Sequence, residues 1–284
     1  DTDEVARVVA ILTQNRLPII PRGSGTGLTG GCVAFAGGVI VSTARLSRVL
    51  KIDLPNRVVH TQAGVRNVQL SETVAAVPGG SLYHFSPDPS SQRASTVGGN
   101  AATNAGGIHV LKDFVTSNHV LGITMVLADG SILRAGATDG AYDSPFDLPG
   151  LICGNEGTFG IITELWLRLV PKPTSFRTIV GLFSTQADAC TAVSQTIAAG
   201  HLPSALEMMD GSMVRIIEDS YKFGFPPHTA ALLLCDIDGI EELLDGQMND
   251  LVTIFTRNNA FEVKCSALAE DRAKLWKARK SAFG

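Results

Sequence analysis

Neither a CxxC pair nor an HxxxH pair occurs in these 284 residues. The five cysteines (Cys32, Cys153, Cys190, Cys235, Cys265) are odd in number and far apart, and the six histidines show no ligand-pair spacing. This argues against a disulfide framework, a zinc site or an iron–sulfur cluster; no metal is expected, and a reducing compartment is. Basic excess is also missing: 23 Lys and Arg face 27 Asp and Glu, a net charge of −4. That removes the electrostatic case for nucleic acid or an anionic membrane surface. No apolar run approaches the roughly 20 residues of a membrane span. There is no signal-peptide pattern, and the sequence opens Asp-Thr-Asp, inside an amphipathic helical repeat, rather than with Met. The expectation is a piece of a longer protein.

What is present is a folded composition, 45% hydrophobic and 18% charged, long enough for two domains or one large one, with 29 glycines. Five of those glycines fall in residues 21–31, PRGSGTGLTGG. At that density a backbone reaches positive φ and approaches a ligand without Cβ atoms in the way, and its amides converge on an anion. Before the loop, Val5, Val8, Val9 and Leu12 predict a helix over 3–15, capped by Thr2 or Asp3, and Ile19 with Ile20 a short strand. Strands are expected at 38–42 and 58–63 and a helix at 65–77. Residues 78–110 lack apolar periodicity, and 90–107 (SSQRASTVGGNAATNAGG) are almost all small or amide side chains. A loop so long inside a domain needs a function. A hairpin follows at 121–135, turning at Ala128, Asp129 and Gly130, then a strand at 161–170. Pro171, Lys172 and Pro173 are the candidate boundary. Beyond them strands (175–183, 205–209, 230–236, 261–265) alternate with helices (186–199, 213–217, 240–257, 271–283). This predicts an α+β fold with an antiparallel sheet.

Residues 25–30 spell GxGxxG, but a dinucleotide site of the Rossmann kind needs a helix opening at the loop. Here a short glycine-terminated stretch and another strand follow, and no Lys-Ser/Thr makes a P-loop. Two further glycine and amide loops, at 96–107 and 154–160, instead point to a large extended dinucleotide. Arg22 is suited to its diphosphate, and the carboxamides of Asn100 and Asn104 to polar ring or ribityl edges.

Taken in order, PRGSGTGLTGG, PDPSSQ with STVGGNAATNAGG, and GNEGTFGIITE with LVPKP resemble the FAD-binding domain of the vanillyl-alcohol-oxidase superfamily. Within it the chain is similar to the FAD-linked 2-hydroxyacid dehydrogenases, the group that includes the catalytic flavoprotein of glycolate oxidase. LEMMD (206–210), LLCDIDG (233–239) and LWKARK (275–280) extend the likeness. The resemblance implies a PCMH-type FAD-binding domain of two α/β subdomains over 1–173. A partial α+β, ferredoxin-like cap domain with an antiparallel sheet would follow over 174–284. Arg22, Gly23, Ser24, Gly25, Thr26 and Gly27 would hold the FAD pyrophosphate. Pro87, Asp88, Gly98, Gly99, Asn100, Asn104, Gly106 and Gly107 would line the flavin and diphosphate, and Glu156, Gly157, Gly160, Ile161 and Ile162 would complete the site. A β-branched residue at Gly25 or Gly27 is expected to cost FAD affinity before fold.

The implied activity is oxidation of a small 2-hydroxy acid, of the glycolate or D-lactate type, by hydride transfer to flavin N5. Arg279 would clamp the substrate carboxylate bidentately. The family's histidine-rich catalytic segments are expected beyond residue 284, so the catalytic residues are not assigned and these residues alone are expected to be inactive. Where family members commonly have Lys-Tyr-Gly, this chain has Lys112, Asp113 and Phe114, so no tyrosine role is carried over. Implied partners are a second flavin-fold subunit and an iron–sulfur subunit, with no nucleic acid. The implied location is cytoplasmic, peripheral at the inner face of the membrane through those subunits. The alternatives are another alcohol substrate on the same FAD fold, or a non-catalytic FAD-fold subunit of a dehydrogenase complex.

Overall fold

The computed structural model describes residues 1–137, 144–266 and 269–281. In chain order its elements begin with α1 (Thr2–Gln14), β1 (Ile19–Arg22), β2 (Val39–Ser42), β3 (Val49–Asp53), β4 (Val58–Gln62), α2 (Asn67–Ala75), β5 (Tyr83–His84), α3 (Val97–Thr103) and α4 (Val110–Asp113). They continue with β6 (Val120–Leu127), β7 (Ile132–Gly136), α5 (Leu148–Ile152), β8 (Gly160–Arg168), β9 (Val170–Pro171), β10 (Ser175–Phe183) and α6 (Gln186–Ala198). The last are β11 (Ala205–Asp210), α7 (Gly211–Tyr221), β12 (Ala231–Gly239), α8 (Glu241–Arg257), β13 (Ala260–Ser266) and α9 (Ala269–Ser281). The chain divides into two compact units, residues 1–107 with 114–172, and residues 108–113 with 173–284.

The first unit is built on an antiparallel sheet of order β3-β4-β8-β6-β7. One face carries Val59, Ile123, Met125, Leu165 and Leu167 into a core closed by Leu70 and Val74 of α2 and Val97 and Ala101 of α3. On β4 and β8, His60 stacks on Trp166 with ring centroids 3.8 Å apart and meets Glu164 at 2.9 Å. Helix α1 packs Val5 and Val9 against Val126 and Ile161. It is capped by Asp1, not by Thr2 or Asp3: the Asp1 carboxylate accepts from the Glu4 amide at 2.9 Å in a reciprocal capping box. A parallel pair, β1 with β2, stands outside the large sheet. No helix lies between them, as the sequence requires, and residues 23–38 form the connection.

Besides the short β5, α4, α5 and β9, two elements missing from the sequence reading are instructive. Strand β3 is absent from it, because VLKID has no fully buried position and exposes Leu50 and Lys51, typical of an edge strand. Helix α3 forms inside the stretch read as loop. VGGNAAT has poor intrinsic propensity, but the Thr96 hydroxyl caps the Gly99 amide at 3.2 Å and Val97 with Ala101 anchor in the core.

In the second unit β11-β12-β10-β13 form an antiparallel sheet, the strand order of a ferredoxin-like fold. The α+β class and antiparallel sheet expected from the sequence are thus present. One face packs Ile179, Phe183, Leu233 and Cys235 against Phe255 and Leu251 of α8 and Ala189 and Ala192 of α6. The other packs Val180, Leu182, Leu232 and Leu234 against Val214 and Ile217 of α7 and Trp276 of α9. On that second face lies Asp236, fully buried. Its carboxylate accepts from Thr178 Oγ1 at 2.5 Å, Arg272 Nε at 2.6 Å and Trp276 Nε1 at 2.8 Å. Ile108 joins the same core, and Lys112 of α4 is ion-paired with Asp238.

Candidate functional site

The parallel pairing of β1 and β2 sets Arg22 beside Ser42 and brings Thr43, whose amide donates to the Arg22 carbonyl at 2.9 Å, to the root of the glycine loop. From there residues 22–29 wall a cavity of about 380 Å³. Its other walls are Gly98, Gly99 and Asn100 of α3, Thr103 and Ala105 after them, and Glu156, Gly157, Gly160, Ile161 and Ile162. The three loops singled out in the sequence therefore meet around one space within the first unit.

The polar groups facing this space divide sharply into used and unused. The first amides of α3 are spent: Val97 donates to the Val65 carbonyl, Gly98 to Ala63 and Gly99 to Thr96 Oγ1. Helix α3 is thus a wall rather than an anion-binding terminus. In contrast, the amides of Ser24, Gly25, Thr26, Gly27 and Leu28 donate to no acceptor among the described residues, and the Arg22 guanidinium has no partner among them. Gly25 has φ +78°, a conformation that L side chains rarely adopt, and the Arg22 guanidinium lies beside it, with Nη2 3.0 Å from where a Cβ would stand. Asn100 is 3% exposed and its Nδ2 has no hydrogen-bond partner among the described residues. A buried amide donor without an acceptor is costly unless a ligand supplies one.

Arg22 to Gly27, Gly98, Gly99, Asn100, Glu156, Gly157, Gly160, Ile161 and Ile162 all line the cavity as a set. Pro87, Asp88, Asn104, Gly106 and Gly107 are not among its lining residues. The Pro87 carbonyl accepts from Asn67 Nδ2 at 2.8 Å, and Asn104 closes α3 at φ +47° while its Oδ1 accepts from the Ser117 amide at 2.9 Å. Gly107 lies on Asp88, where a Cβ would come within 2.4 Å of the Asp88 carbonyl oxygen. The sequence reading missed Thr29, Cys32, Thr43, Ser91 and Thr103, which also line the cavity. Thr43 was findable, since the residue that ends a strand parallel to β1 must reach the same loop.

Residues 1–136 match the family model described as FAD binding domain, and residues 172–284 the one described as FAD linked oxidases, C-terminal domain. The chain carries both of these domains, the FAD-binding one followed by the C-terminal one of FAD-linked oxidases. Glycolate oxidase subunit GlcD of Bacillus subtilis is 37% identical over 283 residues, covering 100% of this chain and 59% of that protein. The GlcD subunit of Escherichia coli K12 is 38% identical, covering 99% of this chain and 55% of that protein. D-lactate dehydrogenase of Anaerostipes hadrus is 35% identical, covering 98% and 59%. The chain thus spans somewhat over half the length of these relatives. Among solved structures, an alkyldihydroxyacetonephosphate synthase aligns with a TM-score of 0.79 at 21% identity, covering 98% of this chain and 53% of that one, which shows the shared fold.

FAD is the cofactor of this family, and the cavity fits it. The undirected loop amides and unpartnered Arg22 suit a diphosphate, and Asn100 Nδ2 suits an acceptor on the ligand. Arg279, on α9 of the second unit, has its guanidinium on Glu207 of β11, at 2.9 Å from Nε and 2.6 Å from Nη2. Among the described residues no cluster of three or more His, Cys, Asp or Glu is placed to hold a metal, and no helix is long and apolar enough to cross a membrane.

Proposed function

We propose that this chain is the FAD-binding portion of an oxidoreductase that oxidises a small 2-hydroxy acid of the glycolate or D-lactate type. The observation that carries the proposal is identity of 35–38% along the whole chain to proteins named for those two acids. FAD, when bound, supplies the two-electron acceptor for the substrate carbon. Arg22 and the amides of residues 24–28 hold its diphosphate, and Asn100 donates its unused N–H to the cofactor. Gly27, with no neighbour within 4 Å of its absent Cβ, keeps the wall free of a side chain where the ligand lies. Arg279 offers a planar fork that matches an α-carboxylate, a geometry that lysine lacks.

The Glu207 ion pair favours a second reading for Arg279 alone, in which it fastens α9 to β11. R279K separates the two. A substrate-binding role raises KM with the thermal midpoint unchanged, whereas a fastening role lowers the midpoint and leaves KM alone. Because two relatives are named as subunits, the proposed assembly includes further subunits, a second flavin-fold chain and an iron–sulfur protein. The decisive experiment purifies the complete protein, records its flavin spectrum and follows dye reduction with glycolate, D-lactate and simple alcohols. Reduction by either hydroxy acid supports the proposal. Reduction by alcohols lacking a carboxylate, and not by the acids, overturns it.

A further inference from the structure

We propose that Thr29 and Glu156 form a latch that holds the glycine loop in its ligand-binding shape and sets how long FAD stays; the inference rests on the FAD reading of the cavity. The need for a latch follows from how little else holds the loop. Residues 23–38 contain no helix or strand, the amides of residues 24–28 are undirected, and Leu28 at the tip is 99% exposed. Nothing apolar pins the tip to a core. Among the described residues, the hydrogen bond from Thr29 Oγ1 to Glu156 Oε2, at 3.0 Å, is the one side-chain hydrogen bond linking residues 23–38 to the rest of the chain. Both residues line the cavity.

The Glu156 side of the latch is fixed. Its amide donates to the Ala102 carbonyl at 2.8 Å, within the last turn of α3, and the next amide, that of Gly157, donates to Asn155 Oδ1 at 2.7 Å. Glu156 itself has φ +51°, the left-handed region that an L-residue enters only when its surroundings impose it. Across the gap, Gly31 lies beside the carboxylate, at a distance where even a Cβ would make only an ordinary 3.8 Å contact with the same Oε2. A carboxylate on the wall of a diphosphate site repels the ligand, so its presence calls for a role other than gripping phosphate. Accepting the Thr29 hydroxyl is that role, and it makes Glu156 a positioning residue. The unpartnered, buried Nδ2 of Asn100 in the same cavity independently marks the space as a ligand site.

Holding a loop in its bound shape lowers the ordering cost of binding and appears mainly in the dissociation rate. The test measures FAD release from the complete protein by recovery of flavin fluorescence, with amide hydrogen exchange of residues 24–31 in the apoprotein. T29A and E156A are each expected to speed release about three- to tenfold, the scale of one such hydrogen bond, and to speed loop exchange. E156A keeps a Cβ at the same φ, so it isolates the carboxylate. T29S and E156Q, which retain a donor and an acceptor, are expected to restore both readouts. The double variant T29A/E156A is expected to be no worse than either single one, because the two residues act through one bond. Unchanged release and exchange in T29A, or additive effects in the double variant, overturn the latch. Wild-type protein that takes up no FAD overturns the cofactor reading instead, while exchange in the apoprotein still decides the latch.

Discussion

The carboxylate of Asp236, in the middle of β12, accepts a hydrogen bond from the indole Nε1 of Trp276, forty residues further along the chain on α9, at 2.8 Å. Arg272, one turn earlier on the same helix, reaches the same oxygen while its guanidinium lies 4.0 Å above the centre of the Phe176 ring. A fully buried acid thus fastens α9 to the sheet through two donors. D236A removes the acceptor and leaves both donors stranded, so a loss of about 3 kcal/mol in unfolding free energy is expected. D236N offers only one acceptor oxygen and should lose a smaller part of it. Urea denaturation of the two variants checks both, and equal stability of D236A and wild type would refute the assignment.

Gly25 and Gly27 separate under substitution. Gly25 sits at φ +78° against Arg22, so G25V strains the loop in the absence of any ligand. Gly27 has no neighbour within 4 Å of its absent Cβ and lines the cavity. G27V is therefore expected to leave the thermal midpoint of the apoprotein unchanged while weakening FAD binding by about tenfold or more, the equivalent of one lost contact of about 1.4 kcal/mol. Flavin titration of the two variants beside apoprotein melts distinguishes strain from occlusion.

G98A acts in the opposite way. A Cβ at Gly98 would stand 2.5 Å from that of Ala63 and 2.9 Å from its carbonyl oxygen, in a fully packed region. The expected cost is about 1–3 kcal/mol of stability, present with or without FAD. A melt of the apoprotein that matches wild type would show that α3 has room to shift.

Burial pushes the Cys153 thiol, ordinarily at 9.0, up to about 12, with Asp147 adding to it, and burial raises Cys235 as well. Raised thiols favour the unfolded chain once pH exceeds the unfolded value, where only that chain loses its proton to advantage. Their sign is therefore the reverse of a stabilising pair: stability from these groups is level up to about pH 9 and falls between there and about pH 12, because deprotonation favours the unfolded chain. Iodoacetamide at pH 8 should label the exposed Cys190 in native protein and spare Cys153 and Cys235, as peptide mapping would reveal. Rapid native labelling of Cys153 would contradict its burial.

Residues that announce chemistry by type and order were legible: Arg22, the glycines after it, Asn100 and Glu156 each reach one cavity because three separate loops carry strong local signals. The strands of the second unit were legible too, since residues 179–183 of β10 and 231–235 of β12 are continuous apolar runs buried on both faces. What escaped has a physical reason. Helix α3 depends on the Thr96 cap and on the burial of Val97, tertiary facts that its glycines conceal. Thr29 and Thr43 are ordinary threonines whose importance arises only from what β1 and β2 place beside them. The Glu207 partner of Arg279 lies 72 residues away, beyond any local pattern.

Residues 108–113 have a consequence for dissecting the protein. They are numbered within the first stretch of chain yet fold with the second unit, where Ile108 enters the core and Lys112 neutralises Asp238. The polypeptide therefore crosses between units three times, at 107–108, 113–114 and 172–173. A gene cut at residue 173 yields a downstream product with a groove in its hydrophobic interior and an acid stripped of its counter-charge. Such a product should aggregate until a peptide spanning 108–113 is supplied, which makes those six residues a detachable plug rather than a linker.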